Sequence, residues 1–147
     1  MGTWLITGCS SGLGRGIAKA ALKRGENVAV TARNTDRIQE LIKAYPKQGL
    51  ALKLDLNDKE SMSQAVKEVY GHFGGIDVLV NNAGHGYRAC VEESEPDKVS
   101  ELFETNFFAP AELIKMVLPI MRAQKSGLII NVTSIGAVRG ALGNGYY

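Results

Sequence analysis

The feature that most constrains this chain is a glycine-rich stretch near its start, Thr7-Gly8-Cys9-Ser10-Ser11-Gly12-Leu13-Gly14. The apolar run Trp4-Leu5-Ile6 leads into it, and apolar residues at helical spacing lead out, which predicts a strand, a tight turn and a helix. Glycine adopts backbone angles closed to other residues and lets a ligand approach the main chain. The first N–H groups of a helix have no internal partner and attract phosphate. The stretch therefore predicts a dinucleotide site that binds a pyrophosphate.

Length and composition place the chain among ordinary globular domains. It has 147 residues, of which 45% are hydrophobic and 22% charged, and its net charge is +2. The charges are dispersed and no apolar run is long enough to span a bilayer, so no nucleic-acid or membrane partner is expected. Two cysteines give no disulfide framework, which favours a reducing, cytoplasmic setting, and no metal site is predicted. We interpret Cys9 as a space-filling residue.

The end of the second predicted strand, Asn27–Ala32, bears on the choice of cofactor. An acid at this point would bind the hydroxyls of the adenine ribose and repel a 2′-phosphate, but the chain has none there. Arg33 instead offers a planar fork of donors to a phosphate. The pattern therefore favours NADP(H) over NAD(H). The alternative is that Arg33 is a solvated surface residue that pairs with Asp36.

Three further strands and three further helices follow in alternation. The strands are predicted at 50–54, 76–80 and 128–132, and the helices at 35–45, 58–71 and 97–123. Asn57 with Glu60 predicts a capping box that begins a helix at Asp58, and Pro110 is expected to kink or break the last helix. This order predicts an α/β fold with a doubly wound parallel sheet and a ligand crevice at its carboxyl edge.

Small and polar residues follow the predicted strands at this edge. Asp55 comes after the third strand, where it either caps the next helix or faces an adenine. The run Asn81-Asn82-Ala83-Gly84 after the fourth strand suits the close approach of a ligand, and it equally suits an ordinary turn. Ser134 follows the fifth strand. Asn106 lies on the apolar face of the long helix, where a buried amide needs a hydrogen-bond partner.

Together these residues closely resemble the short-chain dehydrogenase/reductase family over the whole chain. The matching motifs, in chain order, are Thr7-Gly8-x-x-x-Gly12-x-Gly14, Asp55, Asn81-Asn82-Ala83-Gly84, Asn106, Ser134 and Tyr147. The resemblance implies a Rossmann-type dinucleotide-binding domain. It also implies an oxidoreductase that transfers a hydride between NADP(H), or less favourably NAD(H), and a carbonyl or secondary alcohol substrate.

The resemblance also implies a role for each matching residue. Tyr147 would be the general acid/base, Ser134 would hold the reacting oxygen, and Asn106 would position a water in a proton relay. The remaining residues would bind the cofactor. They are Gly8, Ser10, Ser11, Gly12, Leu13 and Gly14 at the pyrophosphate, Arg33 at the 2′-phosphate, Asp55 and Leu56 at the adenine end, and Asn82, Ala83 and Gly84 on the ribose side.

The chain departs from the family pattern at its end. Family members continue past the tyrosine through two more strands and a helix that carries a lysine four residues after it. The resemblance therefore implies that residues 1–147 are an incomplete domain, the N-terminal part of a longer chain. In that case the strand at 128–132 is expected to form an open, aggregation-prone edge. The alternative function is a non-catalytic dinucleotide-binding fragment that lacks the active-site lysine.

Substrate and partners are less constrained by the sequence. The loops 85–96 and 135–144 are expected to line the substrate site, where Tyr87, Val138 and Leu142 suggest an apolar compound. The wide apolar face of the helix at 97–123 and the family's habit imply a homodimer or homotetramer of the full-length protein. A third interpretation is an interaction protein that uses this helix as its contact surface.

Overall fold

A computed structural model describes residues 1–147 and shows strands and helices in alternation. The strands are β1 (Thr3–Ile6), β2 (Asn27–Ala32), β3 (Gly49–Lys53), β4 (Val78–Asn81) and β5 (Leu128–Asn131). The helices are α1 (Gly12–Lys23), α2 (Asp36–Ile42), α3 (Lys59–Phe73), α4 (Pro96–Phe103) and α5 (Ala109–Gln124). A π-helical turn, Glu104–Phe108, joins α4 to α5. Short 3-10 turns lie at Val91–Glu93 and Ile135–Ala137.

All five strands pair in parallel in the order β3-β2-β1-β4-β5. The chain builds outward from β1 to β3, then crosses to the other side of β1 for β4 and β5. The strand order therefore reverses between β1 and β4, where Ile6 lies opposite Val80. At such a reversal the connections leave in opposite directions, and the carboxyl ends of the strands open a crevice. The predicted doubly wound sheet is confirmed.

Helices cover both faces of the sheet. Each face has its own buried apolar cluster, to which the strands contribute alternate side chains. On one face α1 and α2 pack on the sheet, and the largest side chains there include Ile6, Leu22, Val30, Ile38 and Val80. On the other face α3 and α5 pack on it through side chains that include Leu5, Met62, Val69, Leu79 and Leu113. No helix of the chain has the length and apolar character that crossing a membrane requires.

Cys9 belongs to the core beneath the glycine-rich turn. Its side chain is fully buried, and its Sγ donates a hydrogen bond to the carbonyl oxygen of Ile6 over 3.2 Å. Burial raises the pKa of the thiol to about 12, so the thiol stays protonated and inert near neutral pH. The space-filling interpretation of Cys9 is confirmed.

Helix α3 begins one residue later than the capping box predicts. Asp58, not Asn57, is the N-cap, because its carboxylate accepts the N–H groups of Glu60 at 2.9 Å and Ser61 at 3.3 Å. The N–H of Asn57 is already engaged, since it donates to Oδ1 of Asp55 over 3.0 Å. The turn that Asp55 forms with its own chain therefore shifts the cap by one position.

The long helix is interrupted as expected, but the interruption lies before Pro110. Pro110 is in the first turn of α5, where its missing N–H costs little. The π-helical turn adds a residue ahead of it and rotates the side chains relative to the core. As a result Asn106 is exposed, and the prediction that its amide is buried on the apolar face is wrong. Phe107 is 62% exposed for the same reason.

Strand β5 lies at one edge of the sheet and pairs only with β4. Leu128 at its start is 53% exposed. The open edge expected at this strand is therefore present. The backbone groups on the side of β5 that faces away from β4 have no strand partner.

Candidate active site

A cavity of about 1010 Å³ opens at the carboxyl edge of the sheet, where the strand order reverses. Its volume is at the upper end of the range of ligand sites, about 300–1,000 Å³. The structure brings most of the sequence-predicted site residues together in its wall. They are Gly8, Ser10, Ser11, Leu13, Arg33, Asp55, Leu56, Asn82, Ala83, Gly84, Asn106, Ser134 and Tyr147. Gly12 and Gly14 lie in the first turn of α1 and do not line the cavity.

Two of the three glycines in the turn are required by close packing. Gly8 has a φ of +72°, and a Cβ at that position would lie 2.9 Å from Cα of Ala83. A Cβ on Gly14 would overlap Nδ2 of Asn82 and lie 2.5 Å from the carbonyl oxygen of Gly8. No atom lies within 4 Å of a Cβ on Gly12, whose φ of +59° explains the glycine instead. The loop thus folds back tightly on the turn that follows β4.

Hydrogen bonds from Thr7 and Asn82 hold these two turns together. The Thr7 hydroxyl accepts the backbone N–H groups of Asn82 and Ala83, each over 3.0 Å. Nδ2 of Asn82 donates to the carbonyl oxygens of Thr7 at 2.9 Å and Gly8 at 3.2 Å. Sequence analysis missed this role of Thr7, because it depends on β1 and β4 being neighbours in the sheet. The run at 81–84 is thus a turn packed on the glycine-rich loop, and the close approach of a ligand to it stays a prediction.

The N-terminus of α1 is left free to bind an anion. Its N-cap residue, Ser11, has an extended backbone and makes no side-chain capping bond, and no acid lies in the first turn. The unpaired N–H groups and the positive end of the helix dipole therefore remain available. Because Ser10, Ser11 and Leu13 line the cavity, this arrangement fits the pyrophosphate of a dinucleotide.

Arg33 and Asp55 lie at the ends of β2 and β3. Arg33 is exposed, lines the cavity and belongs to none of the chain's three ion pairs, so it is not paired with Asp36. Asp55 lines the cavity and also shapes the turn before α3, since its N–H donates to Oγ of Ser61 over 3.0 Å. Leu56 is 8% exposed and packs into the core beside this turn. Asp55 therefore does not cap α3, whose N-cap is Asp58, and its contact with an adenine stays a prediction.

The Asn106 side chain forms two hydrogen bonds with the backbone that follows β4. Its Oδ1 accepts the N–H of His85 over 3.1 Å, and its Nδ2 donates to the carbonyl oxygen of His85 over 2.8 Å. A Cβ on Gly84 would lie 3.0 Å from the same Oδ1. The amide is thus satisfied by a neighbouring loop rather than by the core. The π-helical turn is what directs the side chain toward that loop.

Ser134 and Tyr147 both line the part of the cavity that lies beyond β5. Oγ of Ser134 accepts the N–H of Gly136 over 3.1 Å, which leaves the hydroxyl proton free to donate. A Cβ on Gly136 would lie 2.9 Å from Cε1 of Tyr147 and 3.5 Å from Oγ of Ser134. The Tyr147 ring and the Ser134 hydroxyl therefore lie on either side of the space beside Gly136, and both residues line the cavity.

Asn81 and Asn131 form a pair that sequence analysis also missed. They occupy the last positions of β4 and β5, and Nδ2 of Asn81 donates to Oδ1 of Asn131 over 2.8 Å. Oδ1 of Asn81 is buried without a partner, a loss of about 1–3 kcal/mol for such a group. The sequence does show an asparagine at the end of each of these two strands. It does not predict that the two side chains pair, because that depends on β4 and β5 being neighbours in the sheet.

The apolar residues proposed for the substrate site are not in the cavity wall. The Tyr87 hydroxyl accepts the N–H of Glu95 over 2.9 Å and so stabilises its own loop. Val138 and Leu142 are 86% and 103% exposed. From the two loops the cavity wall instead receives His85, Gly86 and Ala137, together with Phe107 from the π-helical turn. These few residues do not support the prediction that the substrate is an apolar compound.

Replacing Gly14 by Ala is expected to destabilise the protein by about 1–3 kcal/mol, because the added Cβ would overlap Asn82 and the Gly8 carbonyl. Gly16, on the same helix, is the matched control, since no atom lies within 4 Å of a Cβ there. Gly16→Ala should stabilise by about 0.5–1 kcal/mol. Urea denaturation measures both changes, and equal effects would contradict the tight packing of the loop.

Comparison with known proteins agrees with this geometry. The family model described as short chain dehydrogenase matches residues 3–147. An oxidoreductase of Botryotinia fuckeliana (strain B05.10) is 41% identical over 145 residues, which cover 98% of this chain and 53% of that protein. The chain spans about half the length of the curated relatives it matches.

Solved structures show the same fold. A short-chain dehydrogenase from Streptomyces avermitilis superposes with a TM-score of 0.93 at 40% identity, covering 97% of this chain and 52% of that one. An alcohol dehydrogenase from the archaeon Thermococcus sibiricus, complexed with 5-hydroxy-NADP, has a TM-score of 0.92 at 32% identity and covers 100% of this chain and 64% of that one. On the family match, the sequence identity and the shared fold, the chain belongs to the short-chain dehydrogenase family.

Proposed function

We propose that the protein is an NADP(H)-dependent oxidoreductase that transfers a hydride between the nicotinamide and a carbonyl or secondary alcohol substrate. One observation carries the proposal. A single cavity is lined both by residues of an uncapped helix N-terminus and by Ser134 and Tyr147. Residues 1–147 would be the dinucleotide-binding part of this enzyme. The activity belongs to the complete protein, since the chain spans about half the length of its curated relatives.

The dinucleotide would lie along the carboxyl edge of the sheet. Its pyrophosphate would meet the backbone N–H groups of residues 10–14, its adenine end would meet Asp55 and Leu56, and its ribose would meet residues 82–84. The nicotinamide supplies the hydride when it is bound, whereas the protein supplies position and electrostatics. The glycine-rich turn is held in shape by Thr7 and Asn82 before any ligand arrives, which lowers the entropy lost on binding.

Tyr147 would give a proton to the carbonyl oxygen during reduction and take one from the alcohol during oxidation. A tyrosine with its ordinary pKa of about 10 is a weak base at neutral pH, so it needs positive charge nearby. Arg33 is the one lysine or arginine in the cavity wall, and it lies at the end of β2. We therefore assign this charge to the oxidised nicotinamide and to a cation outside residues 1–147. Ser134 would donate its free hydroxyl proton to the substrate oxygen.

Arg33 supports the preference for NADP(H). It is exposed, belongs to none of the ion pairs and is part of the cavity wall, and no acid stands directly at the end of β2 to repel a 2′-phosphate. The archaeal alcohol dehydrogenase that shares the fold is complexed with 5-hydroxy-NADP, which agrees with this assignment.

The partners would be a small-molecule substrate and further copies of the protein. Phe103 and Phe108 are 40% and 51% exposed around the π-helical turn and lie outside the cavity wall, where a homodimer or homotetramer would cover them. The two free cysteines suit a reducing, cytoplasmic setting.

Replacing Tyr147 by Phe tests the proposed chemistry in the complete protein. NADPH oxidation with 4-nitrobenzaldehyde as the carbonyl probe should fall by about 10²–10⁴, the range for loss of a general acid, while NADPH binding is retained. The matched control is Tyr146→Phe, because the neighbouring Tyr146 does not line the cavity. Activity that survives in Tyr147→Phe would overturn the proposal. NADPH binding with no turnover in the parent protein would favour the non-catalytic alternative.

Replacing Arg33 by Ala tests the cofactor assignment. The affinity for NADPH should fall by about tenfold to a hundredfold, because a charge-assisted hydrogen bond contributes about 1.5–3 kcal/mol. The affinity for NADH, which lacks the 2′-phosphate, should stay within about twofold, and so should both affinities of the control Arg37→Ala. Nucleotide fluorescence measures each titration, and an unchanged NADPH affinity in Arg33→Ala would refute the assignment.

A further inference from the structure

Tyr147 is placed by the chain segment that follows Ser134, and this segment makes two unusually close contacts through glycine. The first is at Gly136, two residues after Ser134. A Cβ there would lie 2.9 Å from Cε1 and 3.1 Å from Cδ1 of the Tyr147 ring. Carbon atoms pack at about 3.5–4.0 Å. The ring therefore occupies space that any other residue at position 136 would fill.

The second contact is at Gly145, two residues before Tyr147. Asn144 and Ala89 form an isolated parallel β-bridge, and the N–H of Gly145 donates to the carbonyl oxygen of Ala89 over 3.2 Å. A Cβ on Gly145 would lie 2.8 Å from Cγ2 of Val91 and 3.1 Å from the Val91 nitrogen. This bridge fixes the segment that carries Tyr147 to the loop that follows β4.

The two glycines are explained by space and not by backbone angle. Neither Gly136 nor Gly145 has a positive φ, whereas Gly143 between them has a φ of +72° and is a turn glycine. Gly140, in the same segment, has no atom within 4 Å of a Cβ. An ordinary flexible loop would give all four glycines open surroundings, so the close approaches at two of them require a separate explanation.

We propose that Gly136 and Gly145 are positioning residues for Tyr147, one making room for its ring and the other holding its backbone against the loop after β4. This inference rests on the proposed role of Tyr147 as the general acid/base. Proton transfer requires the tyrosine oxygen to lie within hydrogen-bond reach of the reacting oxygen. A displacement of about 1 Å in such a group can cost about a hundredfold in rate. A methyl group at either glycine would displace Tyr147 on this scale.

The test compares Gly136→Ala and Gly145→Ala with the matched control Gly140→Ala in the complete protein. The kcat for NADPH oxidation with 4-nitrobenzaldehyde should fall by about tenfold to a hundredfold in the first two variants. The Kd for NADPH should stay within about twofold, because neither glycine lines the cavity. Gly140→Ala should match the parent protein in both quantities. Retained kcat in Gly136→Ala and Gly145→Ala, or a parallel loss of NADPH binding, would overturn the proposal.

A substrate-independent measurement accompanies the kinetics. With ring-labelled tyrosine, the Tyr147 ring signal, assigned with Tyr147→Phe, should move in Gly136→Ala and remain in place in Gly140→Ala. An unmoved ring signal would refute the placement of Tyr147 by Gly136 even if the parent shows no turnover with the probe. Should Gly145→Ala fail to fold, Gly136→Ala decides the matter, because the nearest atoms to its added Cβ belong to side chains.

Recovery of kcat in a double variant distinguishes a displaced Tyr147 from general damage to the loop. Val91→Ala removes Cγ2, the atom nearest to a Cβ on Gly145, so the double variant Gly145→Ala/Val91→Ala should regain kcat by about threefold or more if relief of overpacking is the cause. No regain would contradict overpacking against Cγ2 of Val91 as the cause. The two hypotheses remain distinguishable: activity in Tyr147→Phe refutes the proposed function, whereas inactive Tyr147→Phe with fully active glycine variants refutes the positioning role alone.

Discussion

The hydrogen bonds between Thr7 and Asn82 are the interaction on which the site depends. They join residues 75 positions apart in the chain at the point where β1 and β4 end side by side. The Thr7 hydroxyl accepts two backbone N–H groups, and the Asn82 amide donates to two carbonyl oxygens, so four hydrogen bonds join the two turns. The glycine-rich turn is thereby shaped by the protein itself and needs no ligand to form.

The parallel sheet supplies the rest of the site by placing the end of every strand at one edge. The loops after all five strands contribute to a single cavity, so residues far apart in sequence become neighbours without long excursions of the chain. Helices on both faces bury the strands and leave this edge exposed. The asparagine pair at the ends of β4 and β5 leaves one buried oxygen unpaired, which an apolar pair would avoid. The asparagine pair at this edge of the sheet therefore lowers the stability of the fold.

The sheet was predictable because strand periodicity is a local pattern, and most cavity residues were predictable from the glycine spacing together with the resemblance to the short-chain dehydrogenase family. Four features were not. Asn106 proved exposed, since it lies within a π-helical turn that cannot be recognised from apolar spacing. The roles of Thr7 and of the Asn81–Asn131 pair require the strand order, which no local pattern contains. The close packing at Gly136 depends on a ring eleven residues away.

The central claim is that the reversal between β1 and β4 is a dinucleotide site. The most direct measurement maps backbone amide chemical shifts of the complete protein during titration with NADPH, and with NADH for comparison. We expect saturable binding, tighter for NADPH, with the largest shifts at residues 8–14, at Arg33 and at residues 82–84. A folded protein that binds neither nucleotide, or whose shifts lie away from these turns, would contradict it.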